Sequence, residues 1–148
     1  MSEQETIYLN AIYQNIKTAL QSISDIMSKV ETESLKTELS KEQDGYASLA
    51  KECELFAKSE KIDGLKDNNF IEKARLWTSI QMSTMTDKTN RKIAELMLLG
   101  TFMGIVTCVK DKDDHKGVSA ELDEIIEKLL KFERENINSL MPFLTENK

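Results

Sequence analysis

Three glutamates stand where carboxylate chemistry could be built in this chain: Glu42, Glu95 and Glu133. Glu42 falls on the apolar seam of one predicted helix. Glu95 lies inside the most apolar stretch of the chain. A carboxylate held in a core must be paired, hydrogen-bonded or neutral. If the three face inward together they form an all-carboxylate site for a transition metal such as iron. Structural pairing of Glu42 and Glu95 with a lysine, arginine, tyrosine or threonine is the plainer account. A third arrangement is a polar site lined by Gln81, Thr84, Glu95 and one of Tyr8, Tyr13 or Tyr46.

Other chemistries find less support. Di-iron bundles take a glutamate from each of two helices and a Glu-x-x-His pair from each of the other two. The only histidine is His115, and the residue three before it is Lys112, so that pattern is absent. Asp111, Asp113 and His115 alternate as in a calcium loop, but the sixth and twelfth positions are Lys116 and Leu122 rather than glycine and glutamate. A solvated acidic loop is the simpler reading. No nucleophile–base pair and no glycine-rich phosphate loop is recognisable, and the expectation leans against an enzyme. Cys53 and Cys108 sit among apolar neighbours and are expected to be buried free thiols in a reducing compartment.

The elements that must position these residues are helices. A chain of 148 residues with one proline and five glycines suits a single domain, 1–148, built from a few long helices. A net charge of -6 argues against a nucleic-acid partner. The acidic start lacks an apolar signal core, so a cytoplasmic location is expected. Residues 93–109 are apolar on every side, which marks a buried helix or a membrane span. With about 17 apolar-type residues and Glu95 inside, the stretch is at the short limit for spanning, and a core helix without a membrane span is expected.

Leu9, Ile12, Ile16, Leu20, Ile23, Met27 and Val30 recur at helical spacing and predict a helix over 4–30, with Gln14 and Lys17 on its polar face. A second helix over 33–60 follows from Leu35, Leu39, Tyr46, Leu49, Cys53 and Phe56, with Thr32 or Ser34 as cap. Gly45 inside it invites close approach of another helix. Residues 61–69 are the clearest linker, with Gly64 as the break. Helices are expected over 69–86 and 89–110, divided at 86–90 by cap-forming residues. Residues 110–117 read as a polar loop. A last helix over 119–141 starts at Ser119, carries Leu122, Ile125, Leu129, Phe132, Asn136 and Leu140, and ends before Pro142. Gly100 and Gly104, one turn apart, predict close helix packing, within the chain or across a dimer. Met82, Met85, Met97 and Met103 are expected to fill the core, with a methionine-rich groove as the sharper alternative.

Several motifs then carry a resemblance. Met82-Ser83-Thr84-Met85-Thr86-Asp87, Ile93-Ala94-Glu95-Leu96-Met97 and Gly100-Thr101-Phe102-Met103-Gly104 resemble the M-N-T-M-x-D, H-I-A-E-M-M and G-x-x-M-G patterns of a family of small bacterial helical proteins with a ferritin-like bundle. Lys29-Val30-Glu31 and Phe132-Glu133-Arg134-Glu135-Asn136-Ile137 fit the same family, so the resemblance covers nearly the whole chain. Lys92 replaces the family's histidine and Ser83 its asparagine, which implies that any ligand role of those two positions is lost here. The expected fold is therefore all-α: an antiparallel four/five-helix bundle, ferritin-like, with the 69–86 helix as crossover. A plain up-down bundle is the alternative. The expected function is non-catalytic, through an unknown protein partner or a homo-oligomer. A degenerate or all-carboxylate iron protein is the other reading.

Overall fold

A computed structural model describes residues 2–62, 65 and 86–145. Among these residues lie four α-helices and a closing 3-10 turn, with no strand. Helix α1 spans Glu3–Met27, α2 spans Glu33–Ser59, α3 spans Asn90–Asp114 and α4 spans Ala120–Leu140; the 3-10 turn is Met141–Thr145. The expected 69–86 helix, with Gln81, Thr84, Met82 and Met85, lies outside the described residues, as does Gly64.

Local chemistry sets the ends. The Ser2 hydroxyl accepts from the Glu5 N–H, and Glu3 and Glu5 place negative charge on the first turn of α1. Lys61 adopts φ 57 after α2, and the N–H groups of Lys61 and Ile62 close back on Lys58 and Ala57. That left-handed cap stops the helix before Gly64 is reached. Residues 86–89 are not helical, as their composition suggests. Asp87 accepts from the Thr89 N–H at 2.9 Å, and Thr89 caps α3 by accepting from the Lys92 N–H at 3.2 Å. These caps start α3 although Arg91 and Lys92 oppose its dipole.

Helix α3 runs one turn further than expected. Residues 110–114 are helical, so Asp111 and Asp113 sit on a helix and not in a loop. Lys112 pairs with Glu127 and Asp123 of α4, and His115 closes the last turn by donating its N–H to the Asp111 carbonyl. Gly117, at φ 87, makes the turn into α4, where Ser119 accepts from the Leu122 N–H.

Packing links α1 to α2 and α3, and α4 to α3 and α2. Thr32 donates to Asn90 Oδ1, tying together the starts of α2 and α3. Asn15 Nδ2 donates to the Gly104 carbonyl at 2.9 Å, and the Ser119 N–H donates to Glu5. Tyr13 donates to Glu54, and Lys128 pairs with Glu52. One apolar cluster draws residues from all four helices, among them Tyr8, Ile16, Leu39, Tyr46, Ile93, Leu122 and Leu129. Gln14, expected on the polar face of α1, is buried.

Candidate functional site

Glu133 lies on the inner line of α4 formed by Leu122, Ile126, Leu129, Leu130 and Leu140. It is 1 % exposed. The Tyr46 hydroxyl of α2 donates to its Oε2 at 3.0 Å, while Oε1 has no partner. The Tyr46 ring stands edge-on to Phe132, 4.9 Å between centroids. This crossing is tight because α2 offers Gly45, where a Cβ would collide with the Phe132 ring. Helix α3 offers Gly104 in the same way. A Cβ there would lie 2.8 Å from Glu133 Oε2 and 2.9 Å from Asn15 Oδ1.

Burial, offset in part by the Tyr46 hydrogen bond, pushes the Glu133 carboxyl up to about 7. Glu42 is buried as deeply, and the group its carboxyl meets is the side-chain carboxylate of Glu38. Burial, then the Glu38 carboxylate beside it, pushes Glu42 up to about 10, so it is neutral at pH 7. The Tyr46 hydroxyl is held well above its ordinary range by burial, then by the charge of Glu133. Asn136 lies buried next to that hydroxyl, its Nδ2 without a well-formed hydrogen bond. The centre of the bundle thus holds two carboxyl groups, a phenol and an amide in apolar surroundings. It can hold and release a proton near neutral pH.

Glu95 does not join them. It is exposed on α3 and pairs with Lys92 at 2.9 Å. The inner line of α3 is Ile93, Ala94, Met97, Thr101 and Cys108, and Glu95 falls between its members, on the outer side. Among the described residues no three histidine, cysteine, aspartate or glutamate side chains gather as a metal group. The three-carboxylate set is therefore corrected to two inward carboxyls.

The remaining candidates separate as well. Tyr8 stacks on His115 at 4.9 Å and 16°, and the His115 Nδ1 lies 2.9 Å from the Asp111 carbonyl. Cys53 and Cys108 are buried and unpaired, and burial pushes both thiols up to about 12, with adjacent carboxylates adding to it. Neither is a thiolate nucleophile at neutral pH. The paired-glycine expectation splits: Gly104 packs closely, whereas a Cβ at Gly100 would meet nothing within 4 Å.

The largest departure concerns the expected all-round burial of residues 93–109. Leu99, Phe102, Met103, Val106 and Val109 form one outer line of α3 and are between 41 and 62 % exposed. Met103 is therefore not core, whereas Met97 is. Helix α3 is long and apolar enough to cross a membrane by length and composition, at a mean hydropathy of 1.7, with 28 % of that window buried. A buried helix of that composition would leave no such line open. Comparison with family models, with curated proteins and with solved structures finds no match.

Proposed function

We propose that this chain is a non-catalytic helical-bundle protein that works by association, through the apolar outer line of α3. The observation that carries the reading is the exposure of Leu99, Phe102, Met103, Val106 and Val109 together on one side of one helix. Scattered surface apolar residues need no explanation, but a contiguous line of large ones marks a contact surface. The buried centre supplies no catalytic constellation: its carboxyls are inward and closed off, and its thiols are protonated.

The reading includes a ferritin-like arrangement of two antiparallel hairpins, α1–α2 and α3–α4. It is supported by the contacts that join Asn15 to Gly104, Tyr46 to Glu133 and Glu52 to Lys128. The Thr32–Asn90 bond sets the starts of α2 and α3 at one end. The end of α2 and the start of α3 therefore lie at opposite ends of the bundle. Membership of the ferritin-like bacterial family rests on the motifs alone. A cytoplasmic setting suits two buried unpaired thiols, and the acidic charge disfavours nucleic acid. No span is proposed for α3, because its inner side packs on α1 and α4.

Sedimentation velocity across a range of concentrations tests the association. The wild-type chain is expected to form a larger species, and Phe102→Asp to abolish it without unfolding the bundle. A Phe102→Asp chain that associates as the wild type does would remove α3 as the contact.

The second reading, a reduced carboxylate iron protein, is favoured by the inward carboxyl of Glu42 and the unpartnered Oε1 of Glu133. The described residues do not fit a di-iron centre, since Glu95 faces outward and Asn136 stands three residues after Glu133 where the pattern has histidine. Metal analysis of the purified chain beside its Glu133→Gln variant decides it. Equal metal content in the two excludes Glu133 as a ligand.

A further inference from the structure

We infer that the partner of the α3 face is a second copy of this chain, laid antiparallel across a two-fold axis that passes between Phe102 and Met103. The inference rests on the association reading above. The outer side of α3 carries Lys92, Glu95, Leu99, Phe102, Val106, Val109 and Asp113 at alternating spacings of three and four, with Lys110 and Met103 beside them. Such spacing keeps one line of side chains facing a neighbouring helix along its length. The line is apolar in the middle and charged at both ends, and the signs of its ends are complementary.

A two-fold axis at its centre brings Leu99 of one copy level with Val106 of the other, and Phe102 level with Met103. At the same register Glu95 comes level with Lys110 of the second copy, and Lys92 with Asp113. Each pair of opposite charges occurs twice. Lys92 and Glu95 already touch within one copy at 2.9 Å, so the added residues extend an alternating row of charge. A parallel pairing in register would set Glu95 against Glu95 and Lys110 against Lys110.

The area agrees with a modest dimer. Five half-exposed large apolar side chains leave on the order of 500 Å² of apolar surface. Pairing the surface with itself buries about 1,000 Å² before the charged ends are counted, the lower bound of a specific interface.

The test is sedimentation equilibrium of the full chain with charge-reversal variants. Glu95→Lys and Lys110→Glu, each alone, should weaken dimerisation about tenfold, since each reverses two symmetry-related pairs. The double variant should recover the wild-type dissociation constant, which an unrelated contact cannot reproduce. Raising the salt should reduce the difference between single and double variants. Circular dichroism melts of every variant confirm that the monomer fold is kept. If the single variants dimerise as the wild type does while Phe102→Asp does not dimerise, this register is overturned and association through α3 stands. If Phe102→Asp dimerises unchanged, both are overturned. A wild-type chain that stays monomeric at every concentration overturns the second copy as partner. In that case a soluble spin probe that fails to reach Met103 assigns the face to residues 66–85 of the same chain and removes the association reading too. Access of the probe to Met103, with uptake onto neutral phosphatidylcholine vesicles, makes a lipid surface the occupant instead.

Discussion

The middle of the bundle and the outer side of α3 invert the usual division of residues between inside and outside. At the centre, Glu42, Glu133, Tyr46 and Asn136 are buried, and Glu133 Oε1 and Asn136 Nδ2 are left without a hydrogen bond. On α3, Leu99, Phe102, Met103 and Val106 meet solvent. Each departure has an energetic cost, but of a different kind. The buried carboxyls cost stability, which depends on pH. The open apolar line costs little stability in the isolated chain, and the association proposed above would cover it. The difference teaches that burial alone does not identify a working surface. The deeply buried group here is a place where the fold is weak, and the exposed one carries the proposed association.

The largest expected effect follows from the buried carboxyls. Both have folded values raised above the ordinary carboxylate range, Glu133 to about 7 and Glu42 to about 10. The folded state then binds more protons than the unfolded state above about pH 4.5. Their favourable contribution is complete below that pH and declines as the pH rises. Stability should fall by about 1.4 kcal/mol per pH unit for each group across its window. Both act up to about pH 7 and Glu42 alone beyond it. Urea titrations from pH 5 to 9 measure this, and Glu42→Leu should flatten the profile and raise stability at pH 8 by about 1–4 kcal/mol. A flat wild-type profile would break the contrast at its inner end.

Tyr46→Phe sharpens the same end. It removes the one hydrogen bond to Glu133 Oε2 and should cost about 1–3 kcal/mol, more at high pH than at low. Thermal melts at pH 5 and pH 8 separate the two.

The glycines compare the regions directly. Gly45→Val inserts a side chain against the Phe132 ring and should cost about 1–3 kcal/mol. Gly100→Ala enters open space on a helix and should gain about 1 kcal/mol. Both are read from the shift of the urea midpoint.

The smallest effect belongs to the open face. Phe102→Ser should leave the stability of the dilute chain within about 0.5 kcal/mol of the wild type, as for a surface position. Ile93→Ala, on the inner side of the same helix, should cost about 2–5 kcal/mol. Equal losses from the two would show that Phe102 is packed.

Where a helix carries both apolar and polar residues, its buried side was legible in the sequence. The stripes on α1, α2 and α4 place Ile12, Leu39 and Leu129 in the core, and Glu42 with them, because periodicity assigns one direction inward. The cap at Ser119 was legible for a similar reason, since a hydroxyl before a helical run has one local use, whereas several cap formers over 86–90 left the cap of α3 unassigned. Helix α3 was not. A stretch apolar on every side has no preferred direction, so Glu95 could be placed inward, and Gly100 could not be told from Gly104. Only the packing of α1 and α4 against Ile93, Met97 and Cys108 decides which line is inner. Glu133 lies on the inner line of α4, next to the stripe residue Phe132, but its bond to Tyr46 joins residues 87 apart, which no local pattern reports.

The most direct measurement compares two methionines on one helix. Met97 lies on the buried side of α3 and Met103 on the open side. With methyl-labelled methionine and a soluble paramagnetic probe, the Met103 signal should broaden in dilute protein and become protected as the concentration rises. Met97 should stay protected throughout. Protection of Met103 at every dilution, or its exposure at every concentration, would contradict the claim that this face is open in the single chain and closed by association.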